Sequence, residues 1–221
     1  IEESLLAYQT AVEIKADYLE AHINMAMALK EQRKVDELIA SYRKILEIKP
    51  NYAEVYNSMG IALKTKGETD EAIECYRKVI EIKPDYAEAH INMGNALKIK
   101  GEQDEALECY RRAIDIRPNY AEAYNNMGAV FEDKGESDEA IECYRKALAQ
   151  KPDYAEACHN MGNVLKRKGE LDEAIECYRK SVEINPKYAE AYNSLGIALK
   201  EQGKIDEAVE YYCKAVALEP E

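Results

Sequence analysis

Six prolines (Pro50, Pro84, Pro118, Pro152, Pro186 and Pro220) stand 34 residues apart without exception, and ten glycines follow the same interval as five pairs, from Gly60/Gly67 to Gly196/Gly203. A fixed period of this length predicts an array of small repeated units rather than a domain with one deep core. Each unit then needs to touch only its near neighbours in sequence. The 221 residues divide into a leading segment, 1–17, and six intervals: 18–51, 52–85, 86–119, 120–153, 154–187 and 188–221, read together as one continuous array.

The interval from Tyr86 to Asn119 shows what each unit is. Asp85 followed three residues later by Glu88 has the spacing of a capping box, which predicts a helix start there. Ala89, Met93, Ala96 and Leu97 recur at helical spacing, and Gly101 supplies a residue able to close that helix in a left-handed conformation. Asp104-Glu105 puts negative charge at the start of a second helix, where the dipole favours it. Ala106, Leu107, Tyr110, Ala113, Ile114 and Ile116 form the second helix's apolar stripe, and Pro118 stops it before the next capping residue, Asn119. Each interval is therefore predicted to be a helical hairpin with a turn of about three residues. A single hairpin buries too little to offset ~1.5 kcal/mol of ordering entropy per residue, so stacking must supply the rest.

Charge narrows the partners. Forty-three acidic residues against thirty basic ones give −13, spread along the chain, whereas a phosphate-binding surface needs clustered Lys and Arg. Nucleic acid and anionic membrane are poor matches for that field. No apolar run approaches the ~18–20 residues that span a bilayer. The start, Ile1-Glu2-Glu3, has neither the basic flank nor the apolar segment of a secretion signal, and the missing initiator Met is read as the mark of a piece of a longer chain. Of six cysteines, Cys75, Cys109, Cys143 and Cys177 share one position of the interval. Packed helices ~8–10 Å apart would hold these beyond the ~7 Å Cα limit for a disulfide. Six free thiols fit a reducing compartment, most simply the cytoplasm.

The pattern resembles the tetratricopeptide repeat (TPR) family along the whole chain. In the second interval the family's positions read Tyr56, Met59-Gly60, Leu63, Gly67, Ala72, Tyr76, Val79 and Pro84, and the third to sixth keep them nearly intact. The first departs most: Ala26 and Arg33 replace both glycines, and Leu38 replaces the packing Ala. Residues 1–17 match only the second helix of a repeat, with Leu5, Tyr8, Val12 and Ile14 on its apolar positions, and Pro220-Glu221 ends the sequence without a polar capping helix. The resemblance implies an all-α fold, a right-handed α-solenoid (superhelix) whose concave face is lined by the first helix of each hairpin.

Three rows on that helix carry the functional expectation. One turn in come Ile23, Asn57, Ile91, Asn125, His159 and Asn193; beside them run Asn24, Ser58, Asn92, Asn126, Asn160 and Ser194; a turn later stand Met27, Ile61, Asn95, Ala129, Asn163 and Ile197. Asn is a poor helix former, so eleven Asn or Ser at eighteen mid-helix positions run against local propensity. An amide can pair with both the N–H and the C=O of an extended peptide. The row is similar to the asparagine ladder in the superhelix of O-linked N-acetylglucosamine transferases, and that resemblance implies a main-chain grip. The competing reading is that these Asn bond to a neighbouring repeat or to water. The acidic row (Glu20, Glu54, Glu88, Glu122, Glu156 and Glu190) is assigned to capping, with Glu190 excepted because Lys187 stands where its cap is expected. A lysine row (Lys30, Lys64, Lys98, Glu132, Lys166 and Lys200) is read as a solvated edge, the alternative being a strip that guides acidic side chains. The family's clamp for acidic C-terminal tails needs Lys and Arg at the inner positions, which here hold Asn, Glu, Ile or His.

No catalytic motif, metal-ligand spacing or cofactor-binding loop is present in the sequence, and no cofactor or metal is expected. His22 and His90 occupy an aromatic packing position, and neighbouring Cys158 and His159 point about 100° apart on a helix. The expected function is a non-enzymatic protein-interaction scaffold that binds a peptide or helical segment through Asn24, Asn57, Asn92, Asn95, Asn125, Asn126, Asn160, Asn163 and Asn193. Two alternatives stand beside it: the substrate-recognition region of a larger enzyme, such as a protein glycosyltransferase with its catalytic domain elsewhere, and an array that self-associates head to tail through two uncapped ends.

Overall fold

The computed structural model describes residues 2–15 and 17–219, the side chains of residues 2–5, 9 and 13 excepted. Pro220, assigned as the last stop, and the Leu5 side chain, assigned to the first apolar stripe, lie outside the described residues. All regular structure among the described residues is helical: α1 (Glu2–Ile14), α2 (Leu19–Glu31), α3 (Val35–Ile48), α4 (Ala53–Lys66), α5 (Thr69–Ile82), α6 (Ala87–Lys100), α7 (Gln103–Ile116), α8 (Ala121–Asp133), α9 (Ser137–Gln150), α10 (Ala155–Lys168), α11 (Leu171–Ile184), α12 (Ala189–Glu201) and α13 (Ile205–Leu218). Each 34-residue interval holds two of them, and α1 stands before the first pair. The chain divides into two compact units, Ile1–Ile116 and Arg117–Glu221, each an α-solenoid of stacked hairpins.

Within a hairpin the close approach rests on a glycine and a tyrosine. A Cβ at Gly94 would stand 2.6 Å from Tyr110 Cε1, so only a residue without one admits the ring. The same pairing joins Gly60 to Tyr76, Gly128 to Tyr144, Gly162 to Tyr178 and Gly196 to Tyr212. Tyr76, Tyr110, Tyr144 and Tyr178 are fully buried as a result. The turn glycine does a different job: Gly101 closes α6 at φ +81°, and its amide donates to the Lys98 carbonyl. In the first hairpin Arg33 adopts the same region at φ +56°, a conformation that costs an L-residue about 1–2 kcal/mol.

The two helix types bury different faces. The second helices expose one side: α5 buries Ala72, Ile73, Cys75, Tyr76 and Val79 on a single stripe. The first helices lie between two neighbours and bury more of their circumference, as α6 does with Ala87, Ala89, His90, Ile91, Gly94, Ala96 and Leu97. Successive first helices touch directly, α4 with α6 in the first unit and α8 with α10 and α10 with α12 in the second. No successive second helices do so among the described residues. Each unit is therefore curved with its first helices on the inner side.

The predicted capping box is not formed. The N-cap of α6 is Tyr86, one residue later than expected, and no side chain caps it. The tight turn uses its own carbonyls, with Tyr86 N–H donating to Lys83 and Ala87 N–H to Asp85. Asn119 likewise precedes a Tyr120 N-cap that no side chain completes. Glu88 and its counterparts are thereby left for other partners.

Candidate functional site

The candidate site is, in each unit, the inner row of its first helices. Its geometry sorts the nine predicted asparagines into three groups.

Asn57 and Asn125 lie beneath the surface, 5% and 1% exposed. Each is held by the following hairpin. Asn57 Nδ2 donates to Glu88 Oε1 at 3.4 Å, and its Oδ1 accepts from Asn92 Nδ2 at 3.0 Å. In the second unit Asn125 Nδ2 donates to Glu156 Oε1 at 3.4 Å, and its Oδ1 accepts from Asn160 Nδ2 at 3.3 Å. His159 and Ser194 form the same kind of rung, Nε2 to Oγ at 3.0 Å. Stacking places residue i against residue i+35, one interval plus one position. Glu88 and Glu156 thus bind across hairpins rather than capping their own helices.

Asn95 and Asn163 are half-buried and serve the fold inside their own hairpin. Tyr110 Oη donates to Asn95 Oδ1 at 2.7 Å, and Tyr178 Oη donates to Asn163 Oδ1 at 2.8 Å. The amide supplies an acceptor to a phenol that the glycine contact has driven into the core. Hairpin four has Ala129 at this position, and Tyr144 Oη instead donates to Glu132 Oε2 at 2.8 Å. That accounts for the one acidic residue in the lysine row, which also accepts from Arg167 at 2.7 Å. Hairpin two has Ile61 there, and the buried Tyr76 hydroxyl has no hydrogen-bond partner among the described residues. Burial pushes all four of these phenols well above the ordinary tyrosine range.

Asn24, Asn92, Asn126 and Asn160 are half-buried, and Asn193 is exposed. Asn92 uses one N–H on Asn57, and its other N–H and its carbonyl oxygen have no partner among the described residues. The row therefore has two layers, a buried amide that holds position and a more exposed amide that presents hydrogen-bonding groups. Sequence reading found the row but not the layering, because the alternation depends on which neighbour lies over which.

Histidine behaves as a core residue. His90 Nε2 donates to the Pro84 carbonyl at 3.2 Å. His159 is 7% exposed, and Tyr188 Oη lies 3.1 Å from its Nδ1. Burial holds the His159 pKa below the ordinary histidine value, against the opposing pull of Glu190 and Glu132. Three cysteines are not activated: burial pushes the Cys75 and Cys109 thiols up to about 11 and Cys177 to about 12. Low-pKa thiols are the reactive ones, so these have the opposite character. Among the described residues, no three or more His, Cys, Asp and Glu side chains are grouped so as to hold a metal ion, and no helix is long and apolar enough to cross a membrane.

Comparison with known proteins agrees with this geometry. A TPR repeat model matches residues 62–98, 94–135, 133–169 and 162–203, and further tetratricopeptide repeat models match 19–52, 41–74 and 189–221. No match is found among curated proteins. Among solved structures, MamA is 34% identical, with 72% of this chain and 94% of that one covered at a TM-score of 0.64. The fold is also that of pilF from Pseudomonas aeruginosa (21% identity, 91% and 92% covered, TM-score 0.78). It is likewise that of YrrB, described as a TPR protein with an unusual peptide-binding site (23% identity, 81% and 93% covered, TM-score 0.60). The repeat pattern, the glycine–tyrosine hairpins and the family matches lead to one conclusion: the chain belongs to the tetratricopeptide repeat family.

Proposed function

We propose that this protein is an interaction scaffold that holds extended peptide segments of a partner along the inner row of first helices in each unit. The amides of Asn92, Asn126 and Asn160 are the principal contacts. The observation that carries the reading is the position of Asn92 and Asn160: each is anchored through one N–H on a buried amide of the preceding hairpin. An anchored amide loses little side-chain entropy on binding, which is the advantage of a preorganised site. A peptide backbone supplies the donors and acceptors that such groups match. YrrB, a protein of the same fold, carries a peptide-binding site, which fits this use of the architecture. The proposal assigns no catalytic step to the chain.

The test is selection of peptides from a random displayed library, followed by binding to the native chain and to a triple variant with Asn92, Asn126 and Asn160 replaced by Ser. Serine already stands in this row at Ser58 and Ser194, so the variant keeps a polar group without the amide's reach. The expected result is at least tenfold weaker binding with unchanged helicity. Equal binding by both proteins removes the Asn row from the site.

A second reading, self-association of this chain, is favoured by apolar side chains exposed on α1 and α13. Leu6 and Ile14 of α1 and Ile205, Val209 and Val216 of α13 are each more than half exposed. Light scattering against concentration separates the readings, since a strict monomer at high concentration removes this one.

A further inference from the structure

The first hairpin departs from the others at the places where the fold is tightest. Ala26 puts a methyl group where hairpins two to six have the glycine that admits a tyrosine ring. Leu38 replaces the alanine found at Ala72, Ala106, Ala140 and Ala174. Two larger side chains at a close approach keep the helices from closing as they do elsewhere. Tyr42 stands beside Ser58 of the next hairpin, and both face the space this leaves. A cavity of about 430 Å³ opens between this hairpin and the second. Its walls are chiefly apolar, from Val35, Leu38, Tyr42, Ile61 and Ala62. That volume falls in the ~300–1,000 Å³ range of ligand pockets, whose walls are mostly apolar with a few placed polar groups.

The polar lining is Ser58 and Thr65 together with two cations, Lys30 and Arg33. Both cations are exposed, and neither enters an ion pair among the described residues. In a chain of net charge −13, Lys30 and Arg33 place two positive charges beside an apolar pocket, where they complement a carboxylate. The pocket is also continuous with the inner row. Ser58 stands in the same row as Asn92, Ile61 in the row of Asn95, and Lys30 in the lysine row.

We infer that this pocket is a specificity subsite of the peptide face, taking one large apolar side chain of the bound segment with a carboxylate side chain next to it in sequence. The inference rests on the peptide-binding reading above. The apolar side chain fills the space between Leu38, Tyr42 and Ile61, and the carboxylate meets Lys30 and Arg33. Arg33 would then hold its left-handed turn conformation at a site where a guanidinium is needed and glycine could not provide one.

The experiment is an NMR titration of the native chain with Gly/Ser decapeptides carrying one central Phe-Glu, Ala-Glu or Phe-Lys pair, read at the backbone amides of Ile61, Ala62 and Thr65. The Phe-Glu peptide is expected to shift these resonances, with at least tenfold weaker binding for Ala-Glu and at least fivefold for Phe-Lys. Two variants separate recognition from folding. Ile61→Asn installs the residue found at Asn95 and Asn163, gives the Tyr76 hydroxyl an acceptor, and is expected to keep or raise Tm while weakening the Phe-Glu peptide at least fivefold. Arg33→Gly restores the turn residue of the other hairpins and is expected to reduce the difference between Phe-Glu and Phe-Lys. The Asn-to-Ser triple variant is expected to weaken the Phe-Glu and Ala-Glu peptides by the same factor and to leave the ratio between them unchanged, so loss of the Asn grip and loss of the pocket are read independently. Absence of shifts at Ile61, Ala62 and Thr65, equal binding of Phe-Glu and Ala-Glu, or Ile61→Asn without effect would each overturn the assignment. Shifts with 3-phenylpropionate but with none of the peptides would also overturn it, in favour of a free small carboxylate.

Discussion

A methyl group at position 94 would stand 2.6 Å from Tyr110 Cε1, nearer than side-chain carbons pack, so Gly94→Ala must displace a fully buried ring. Overpacking of this kind costs about 1–3 kcal/mol, and urea unfolding followed by circular dichroism is expected to show that loss with helicity retained. The Asn95–Tyr110 bond gives a second expectation at this scale. Asn95→Ala leaves a buried phenol unpaired, at about 1–3 kcal/mol, whereas adding Tyr110→Phe removes the orphaned hydroxyl and recovers part of the loss. A double-mutant cycle with no recovery would show that the amide is not there for the tyrosine. His159 sets a pH dependence. Its folded-state pKa lies below the unfolded value of about 6.5, so the unfolded chain binds the proton more readily. Stability is therefore full above about pH 6.5 and declines as pH falls below it. The groups facing the ring are Tyr178, Tyr188, Ser194, Asn160 and the carboxylates Glu190 and Glu132. Replacing His159 by Asn, the residue at positions 57 and 125, is expected to flatten that part of the Tm-against-pH curve.

At the scale of the helix and hairpin, much was legible before any coordinates. Proline and glycine spacing marks the helix ends of hairpins two to five, because a residue without an amide proton and a residue free to reach positive φ leave little choice about where helices end. The helix starts were read less well. Asp85 and Glu88 match a capping box locally, but the turn carbonyls take the first amides and Asn57 of the preceding hairpin claims Glu88. A local pattern cannot register a competitor 31 residues away. The asparagine row was visible as a violation of helix propensity, and its split into buried and presented amides was not, since that depends on the offset between stacked hairpins. The degenerate first hairpin was visible too, as three substitutions, but the cavity they open was not. Arg33 offers a direct test of the turn chemistry: Arg33→Gly relieves about 1–2 kcal/mol of backbone strain and loses about 0.4–1 kcal/mol to the freer unfolded chain. A net gain of about 0.5 kcal/mol in urea unfolding is expected.

Over the whole molecule, the charge of −13 reflects a surface of many exposed, largely local ion pairs with acids in excess. Lys66 to Asp36, Lys100 to Asp70 and Lys168 to Asp138 repeat one such link between consecutive hairpins, at 2.7, 2.8 and 2.7 Å. Exposed pairs contribute only about 0–1 kcal/mol each, so the array is held by its buried tyrosines and small residues rather than by these links. The amides of Asn92, Asn126 and Asn160 are proposed to grip peptide main chain without reading its sequence. Fluorescence anisotropy with a library-selected peptide and a copy N-methylated at alternate backbone positions tests it most directly. N-methylation removes main-chain donors while keeping every side chain. If the amides of Asn92, Asn126 and Asn160 hold the backbone, the methylated copy binds at least tenfold more weakly to the native chain, about 1.4 kcal/mol, and with little penalty to the triple Ser variant. Equal affinity of the two peptides for the native chain would contradict the account.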